Sequence, residues 1–212
     1  MDSYKETFET WNKIASLYQD KFMDLDIYDQ SYDFFCSAIK NKKVRILDLG
    51  CGPGNITKYL LAKRPGYKIE GIDIAANMIS LAEKNNPGAS FKIMDCRDIA
   101  DLDAGYGGII SGFCVPYLSE KDAIKLIQDS YHLLSDSGIL YLSFVEGRKD
   151  KSGFQTGSSG DRSYFYYYQL DDLKKLLDKT GFAIEKLYKL VYKRSETVSE
   201  IHTVIIAQKT DK

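Results

Sequence analysis

The sequence is poor in the residues from which most hydrolytic and metal-dependent sites are built. It contains two histidines and four single cysteines. His132 falls in a helical pattern and His202 opens a strand-like run, where structural or surface roles are commoner than catalysis. The cysteines lack C-x-x-C spacing, which indicates reduced thiols rather than a disulfide framework or a zinc site. Hydrolases and metalloenzymes built on histidine are therefore disfavoured.

A strong charge imbalance and long hydrophobic runs are also missing. Lysine plus arginine number 29 and aspartate plus glutamate 30, so the net charge of the 212 residues is −1. No basic field of the kind that binds nucleic acid is present. The first residues are polar, unlike a signal peptide, and no apolar run approaches membrane-spanning length. We expect a cytoplasmic protein, monomeric or homodimeric, without nucleic-acid or membrane partners.

The order of apolar patterns predicts a single α/β domain over residues 1–212. Residues 3–40 follow helical spacing in two stretches, which predicts two helices that form an N-terminal helical cap over 1–42. Strands are predicted over 44–49, 68–73, 90–94, 107–113 and 139–145, with helices between them. Ser119 is predicted to cap the last of these helices and Gly138 to follow its end. Such alternation requires right-handed crossovers and a doubly wound parallel sheet with helices on both faces.

The alternation stops after the fifth strand. Residues 147–163 are polar and glycine-rich, which predicts a flexible loop that could close as a lid over a site. A helix ending at Gly181 follows. Two further strand patterns, over 182–192 and 200–209, predict a hairpin at the edge of the sheet.

The most informative stretch is 44–55. Its apolar strand ends in a carboxylate, Asp48, and then breaks into alternate glycines. These are Gly50, Gly52 and Gly54. The dinucleotide fingerprint G-x-G-x-x-G would place its last glycine where this chain has Asn55. An acidic residue two places before the first glycine favours a ligand with positive charge and no phosphate. S-adenosylmethionine fits, because it carries a sulfonium and an α-ammonium group.

Acidic residues follow the next two strands at the same sheet edge, where ligands bind in doubly wound folds. Asp73 comes about 20 residues after the glycine loop, where a carboxylate can accept from both ribose hydroxyls. Asp95 is placed to accept from the exocyclic amine of adenine. Ile74 and Met78 could enclose the purine face. The fourth strand leads into 111–117, which should line the mouth where a transferred group would lie.

In these residues and their order, the chain from about residue 14 to its end resembles the class I S-adenosylmethionine-dependent methyltransferases, especially those acting on small molecules. The matching segments are Asp48-Leu-Gly-Cys-Gly-Pro-Gly54, Gly71-Ile-Asp73-Ile-Ala-Ala-Asn-Met78, Asp95-Cys-Arg-Asp-Ile99 and Leu133-Leu-Ser-Asp-Ser-Gly-Ile-Leu140. The resemblance implies a seven-stranded sheet of order 3-2-1-4-5-7-6 with the seventh strand antiparallel. It also implies methyl transfer to a small-molecule acceptor by in-line displacement, leaving S-adenosylhomocysteine.

The same resemblance implies a set of contacts. The cofactor-binding residues would be Tyr18, Asp48, Gly50, Cys51, Gly52, Gly54, Asp73, Ile74, Met78, Asp95, Cys96, Gly112 and Phe113. Acceptor contacts are expected at Tyr117, Glu146 and Tyr166. No residue is assigned a catalytic role. No metal ligand is expected, because 106–108 is Tyr-Gly-Gly where many relatives carry an acid, and 115–117 is not the signature of amino-directed DNA methyltransferases.

Two alternatives remain open on the sequence. The chain could be a non-catalytic module that binds S-adenosylmethionine or S-adenosylhomocysteine as a signal. It could also be a nicotinamide enzyme, although Asn55 and Asp48 disfavour this.

Overall fold

The computed structural model describes residues 3–157, 159–194 and 196–210. The helices are α1 Ser3–Lys13, α2 Ala15–Phe22, α3 Asp29–Ala38, α4 Asn55–Lys63, α5 Ala76–Asn85, α6 Glu120–Leu133 and α7 Leu170–Thr180. The strands are β1 Arg45–Leu49, β2 Lys68–Asp73, β3 Ser90–Ile93, β4 Tyr106–Ser111, β5 Leu134–Val145, β6 Gly153–Thr156, β7 Arg162–Phe165, β8 Phe182–Lys193 and β9 Ser199–Lys209. In this part of the chain no helix is both long and apolar enough to cross a bilayer.

Seven of the strands form one sheet in the order β3-β2-β1-β4-β5-β9-β8. Counted within this sheet alone, the order is 3-2-1-4-5-7-6, as predicted. The pairs from β3 to β5 are parallel, whereas β9 runs antiparallel to both β5 and β8. The doubly wound α/β prediction, with an antiparallel hairpin at one edge, is confirmed.

Strand β1 shows how the sheet separates two apolar layers. Leu47 packs on one face in a cluster that includes Leu126 of α6. Ile46 packs on the other face with Phe35 of α3. Strand residues alternate between faces, so Asp48 shares the face of Ile46. This central strand is therefore buried on both sides, and its one carboxylate is buried with it.

Two boundaries differ from the predictions. Residues 3–40 contain three helices, α1, α2 and α3, rather than two. Gly138 does not follow the end of a helix: α6 ends at Leu133, and Leu134 is already extended and paired with Tyr106 of β4. The prediction for Gly138 is therefore wrong, because backbone pairing with β4 begins four residues earlier than the glycine.

The prediction of a flexible loop over 147–163 is also wrong. Lys149–Lys151 forms a 3₁₀ turn, and β6 and β7 pair as an antiparallel hairpin. Cross-strand partners Phe154 and Tyr164 pack edge to face with ring centroids 5.2 Å apart, which stabilises the pair. The sequence around the turn is rich in glycine and serine, which is typical of a loop, so it gave no indication of this strand pairing. Closure of the segment as a lid stays a prediction.

The β6–β7 hairpin packs on α1 through specific polar contacts. The Tyr164 amide donates to Oγ1 of Thr7 at 2.9 Å, and the Thr7 hydroxyl donates to the Ser3 carbonyl at 2.7 Å. The Thr10 hydroxyl donates to the Arg162 carbonyl at 2.7 Å. Thr7 is 1% exposed. Two buried hydroxyls thus fix the hairpin to the first helix.

The substitution Thr7→Val keeps the shape of this buried side chain and removes its hydroxyl. It leaves the Tyr164 amide without a partner, so we expect a loss of roughly 1–3 kcal/mol in the free energy of unfolding. Amide hydrogen exchange over 153–165 should accelerate. The matched control is Thr180→Val, whose hydroxyl bonds only to a carbonyl one turn back in its own helix. Equal effects of the two substitutions would contradict this role of Thr7.

Candidate cofactor-binding site

A cleft of about 770 Å³ opens at the carboxyl ends of β1, β2, β3 and β4, between the sheet and helices α1 and α2. Eleven of the predicted site residues line it: Tyr18, Gly50, Gly52, Asp73, Ile74, Met78, Asp95, Cys96, Gly112, Phe113 and Tyr117. Six more line it: Cys114, which lies in the segment 111–117 expected at the mouth, and five residues that were not predicted, Thr7, Phe8, Trp11, Met94 and Leu118.

The glycine loop forms the floor of this cleft. Gly50 and Gly52 have φ of +62° and +54°, which side chains rarely allow. A Cβ on Gly50 would lie 3.2 Å from that of Cys114. The remaining predicted loop residues support the floor from behind: the Cys51 amide donates to the Ile72 carbonyl at 2.9 Å, and Gly54 precedes α4. Bare backbone is thereby exposed to whatever occupies the cleft.

Asp73 is held by the same loop. Its Oδ2 accepts from the Gly52 amide at 3.0 Å, and its Oδ1 accepts from the Ala75 amide at 2.8 Å. Burial raises the pKa of this carboxyl, although these backbone hydrogen bonds oppose the shift. Each oxygen keeps a second lone pair. The carboxylate is thus fixed in orientation at the wall of the cleft.

Asp48 lies behind the loop and is 0% exposed. Its Oδ2 accepts from the Thr57 hydroxyl at 2.8 Å, whereas its Oδ1 has no hydrogen-bond partner. Burial raises the pKa of Asp48 to about 7, and the nearby charge of Asp73 adds to that shift. A buried carboxylate oxygen without a donor costs free energy, and a cation close by would offset that cost.

Asp95 reaches the cleft with its carboxylate already engaged. Arg97 donates to it through Nε at 3.0 Å and Nη2 at 2.6 Å, and the Arg97 amide donates to Oδ1 at 2.9 Å. The guanidinium stacks over the Tyr4 ring at 4.1 Å. This pair orients Asp95, and only its free lone pairs and the neighbouring backbone remain for a ligand.

The predicted acceptor residues divide into two groups. Tyr117 lines the cleft, where its ring meets that of Trp11 at 5.2 Å. Glu146 and Tyr166 are not among the lining residues. The Glu146 carboxylate pairs with Lys189 at 2.8 Å, and the Tyr166 amide donates to the Pro116 carbonyl. Both belong to the supporting structure beside the cleft.

His202 has a more specific environment than the sequence indicated. It is 7% exposed, and its Nδ1 lies 2.6 Å from the Tyr28 hydroxyl. Its ring stacks on Tyr192 at 4.7 Å and contacts Phe113, a cleft residue, at the same distance. Sequence spacing gave no signal for this cluster, because Tyr28 lies more than 160 positions before Tyr192 and His202.

The α1 residues of the cleft show only helical spacing in the sequence. Phe8 and Trp11 follow that spacing, which predicts a helix and does not show which of its sides faces a ligand. In the structure they face the cleft, and the Trp11 indole Nε1 is buried without a partner. Such a donor near an open cleft is available to a ligand.

Comparison with known proteins assigns the fold and the motifs to a family. A family model described as a methyltransferase domain matches residues 24–187. The chain belongs to this methyltransferase family. Its sheet order and glycine loop are those of the class I S-adenosylmethionine-dependent members.

Individual relatives of this methyltransferase are distant. The malonyl-[acyl-carrier protein] O-methyltransferase of Priestia megaterium is 27% identical over 95% of this chain and 78% of its own length. The trans-aconitate 2-methyltransferase of Variovorax paradoxus is 28% identical over 50% of this chain and 40% of its own length. The matches to four other curated relatives span 42%, 71%, 51% and 63% of their lengths. The chain thus spans about half to three quarters of most of them.

Solved structures share the fold of this methyltransferase. The 1,6-didemethyltoxoflavin-N1-methyltransferase of Burkholderia thailandensis has a TM-score of 0.74 at 17% identity, covering 98% of this chain and 88% of that one. The magnesium protoporphyrin IX methyltransferase of Synechocystis has a TM-score of 0.73 at 17% identity, covering 99% and 98%. At these identities the likeness establishes the fold alone.

The raised pKa of Asp48 predicts how the stability of the ligand-free protein depends on pH. Between the ordinary value of 3.8 and about 7, the folded state holds a proton that the unfolded state has lost. The free energy of unfolding should therefore fall as pH rises through this window, by an amount on the order of 2–4 kcal/mol.

The isosteric substitution Asp48→Asn removes the titrating group and keeps an oxygen that can accept from Thr57. We expect it to flatten this part of the pH profile. Urea unfolding of both proteins at pH 5 and pH 7.5 measures the difference directly. An unchanged pH slope in Asp48→Asn would show that another group causes it.

Proposed function

We propose that this protein binds S-adenosylmethionine in the cleft and transfers its methyl group to a small-molecule acceptor. The observation that carries this proposal is the charge of the side chains that line the cleft. Two carboxylates, Asp73 and Asp95, face the cleft. The Asp95 carboxylate is paired with Arg97 at 2.6 Å, whereas Asp73 accepts from backbone amides, and none of the described lining residues is lysine or arginine. The uncompensated carboxylate of Asp73 suits a cation-bearing nucleoside and would repel a diphosphate.

The residues at the cleft match the parts of this cofactor one by one. The unpartnered Oδ1 of Asp48, behind the glycine loop, favours a nearby α-ammonium group. The oriented carboxylate of Asp73 suits the two ribose hydroxyls. Asp95 and Cys96 are placed for the edge of adenine, and Ile74 and Met78 for its faces. Tyr18 closes the cleft above Gly52, its ring 3.7 Å from where a Cβ would stand.

When bound, this cofactor supplies an electrophilic methyl group on a sulfonium centre. The protein's own contribution is alignment and exclusion of water, and positioning alone can be worth roughly 7–11 kcal/mol. The aromatic side chains Trp11, Phe113 and Tyr117 enclose the acceptor side of the cleft. Phe113 holds a left-handed backbone with φ of +57°, and its amide donates to the Ser143 hydroxyl at 2.8 Å. This hydrogen bond fixes the wall against which an acceptor would lie.

Small molecules suit the acceptor side better than a polymer. The cleft is walled by α1 and by the turn at 115–117, and the net charge of the chain is −1. The name of one relative, a trans-aconitate 2-methyltransferase, points in the same direction. The proposal includes action in the cytoplasm, as a monomer or homodimer, without a nucleic-acid substrate.

Ligand binding distinguishes this proposal from a nicotinamide enzyme. S-adenosylhomocysteine at 100 times its dissociation constant should stabilise the protein by about 2.7 kcal/mol, whereas NAD should leave its melting temperature unchanged. Stabilisation by NAD alone would refute the proposal. A second experiment then distinguishes an enzyme from a non-catalytic binding module. It asks whether a labelled methyl group is transferred from S-adenosylmethionine to a molecule in a small-molecule extract.

The carboxylate of Asp73 should account for much of the affinity. Asp73→Ala removes charge-assisted hydrogen bonds to the ribose, so we expect the dissociation constant of S-adenosylhomocysteine to rise roughly 10- to 100-fold by calorimetry. Asp98→Ala, at an exposed position in the 3₁₀ turn beside the cleft, is the matched control and should bind normally. Melting temperatures of both variants monitor folding. Unchanged affinity in Asp73→Ala would refute this role of the residue.

A further inference from the structure

Two of the four cysteines lie side by side at the wall of the cleft. The Sγ atoms of Cys96 and Cys114 are 3.3 Å apart, and both residues are reduced. Both belong to the lining of the cleft. The other two cysteines, Cys36 and Cys51, are buried elsewhere in the structure. The proximity is therefore particular to one pair, which the spacing of cysteines in the sequence does not show.

The two cysteines lie in connections outside the sheet, where the remaining approach would have to occur. A disulfide requires an Sγ–Sγ distance of about 2.05 Å, so the two atoms must close by roughly 1.3 Å. Cys96 begins the 3₁₀ turn that follows β3, and Cys114 precedes the turn at Val115–Tyr117. Neither cysteine lies within a strand of the sheet. Small movements of the two connections would bring the sulfurs together without breaking strand pairing.

We propose that Cys96 and Cys114 form a reversible oxidation site whose disulfide closes the cofactor cleft. The consequence for the cofactor rests on the proposed function, because Cys96 lies where adenine is expected and Cys114 packs against the glycine loop. A covalent bond between them joins the connection after β3 to the connection after β4. It pulls together the two walls between which the nucleoside would lie.

The oxidant is a peroxide, and the reaction balances with it. One thiolate attacks a peroxide oxygen, the O–O bond breaks, and the sulfur becomes a sulfenic acid as the first water leaves. The second thiol then attacks that sulfur, the S–S bond forms, and the hydroxyl departs as a second water. Two thiols and one hydrogen peroxide thus give one disulfide and two waters. A dithiol such as dithiothreitol reverses the step by exchange.

The surroundings of the two thiols determine how fast they oxidise and how a bound ligand changes that rate. The neighbouring Cys114 thiol and burial raise the pKa of the Cys96 thiol, so little thiolate exists at neutral pH. Oxidation is slow there and accelerates as pH rises. A ligand that occupies the cleft separates the pair from peroxide and holds the walls apart. By linkage, a disulfide that weakens S-adenosylhomocysteine binding is itself disfavoured by that ligand.

The test treats the whole protein with hydrogen peroxide and maps its cysteines by mass spectrometry under non-reducing conditions. We expect a linked Cys96–Cys114 peptide pair that lacks two hydrogen atoms, with the Cys36 and Cys51 thiols unmodified. Oxidation should be faster at pH 9 than at pH 7, and slower with S-adenosylhomocysteine present. The oxidised protein should bind that ligand at least about tenfold more weakly, and dithiothreitol should restore binding.

Single substitutions supply the controls. Cys96→Ser and Cys114→Ser each leave one thiol of the pair, so peroxide should change their affinity for S-adenosylhomocysteine little. Cys36→Ser should respond to peroxide as the unmodified sequence does. Free thiols at both positions after treatment, or a disulfide with unchanged affinity, would overturn the proposal. Absence of S-adenosylhomocysteine binding by the reduced protein would instead refute the proposed function, while the mapped disulfide would still decide the oxidation site.

Discussion

The structure depends most on how β1 ends. The strand is buried on both faces, yet it carries Asp48, which must share its environment with apolar neighbours. The Thr57 hydroxyl satisfies one oxygen of that carboxylate and ties the strand to α4, while the other oxygen remains without a donor. The glycine loop lies between these two elements. A buried, half-satisfied carboxylate beneath exposed backbone is costly for folding alone, and it becomes favourable when a cation lies above it.

The second strand extends this arrangement. The Cys51 amide pairs with the Ile72 carbonyl, and the Gly52 amide pairs with Asp73 one residue later. The loop after β1 is therefore fixed by the end of β2, and the Asp73 carboxylate is fixed by the loop. A change at either position disturbs the other. The floor of the cleft and the wall that carries Asp73 consequently form one hydrogen-bonded unit, preorganised before any ligand arrives.

This unit could be predicted from the sequence because it is local. The strand ends, the glycines and the two aspartates follow one another at spacings that periodicity and the switch-point rule determine. Eleven predicted residues meet at the cleft, and two of them, Tyr18 and Cys96, came from the resemblance. The strand order came from resemblance, since periodicity carries no information on neighbours. The β6–β7 hairpin, the inward face of α1 and the surroundings of His202 were missed. The pairing within the hairpin is local, but its position on α1, the cleft-facing side of α1 and the Tyr28–His202 contact depend on residues more than 100 positions apart, such as Tyr164 with Thr7.

These missed elements are the ones that would distinguish acceptors. Thr7 lines the cleft and also accepts from the Tyr164 amide, so α1 and the hairpin are positioned together. Trp11, three residues beyond Phe8 on the same helix, presents an unpartnered indole donor beside Tyr117. The side of the cleft proposed for the cofactor is built from strand ends that a motif describes, and the side proposed for the acceptor from helices and a hairpin joined by long-range contacts. A motif shared with relatives is therefore stronger evidence for the same cofactor than for the same substrate.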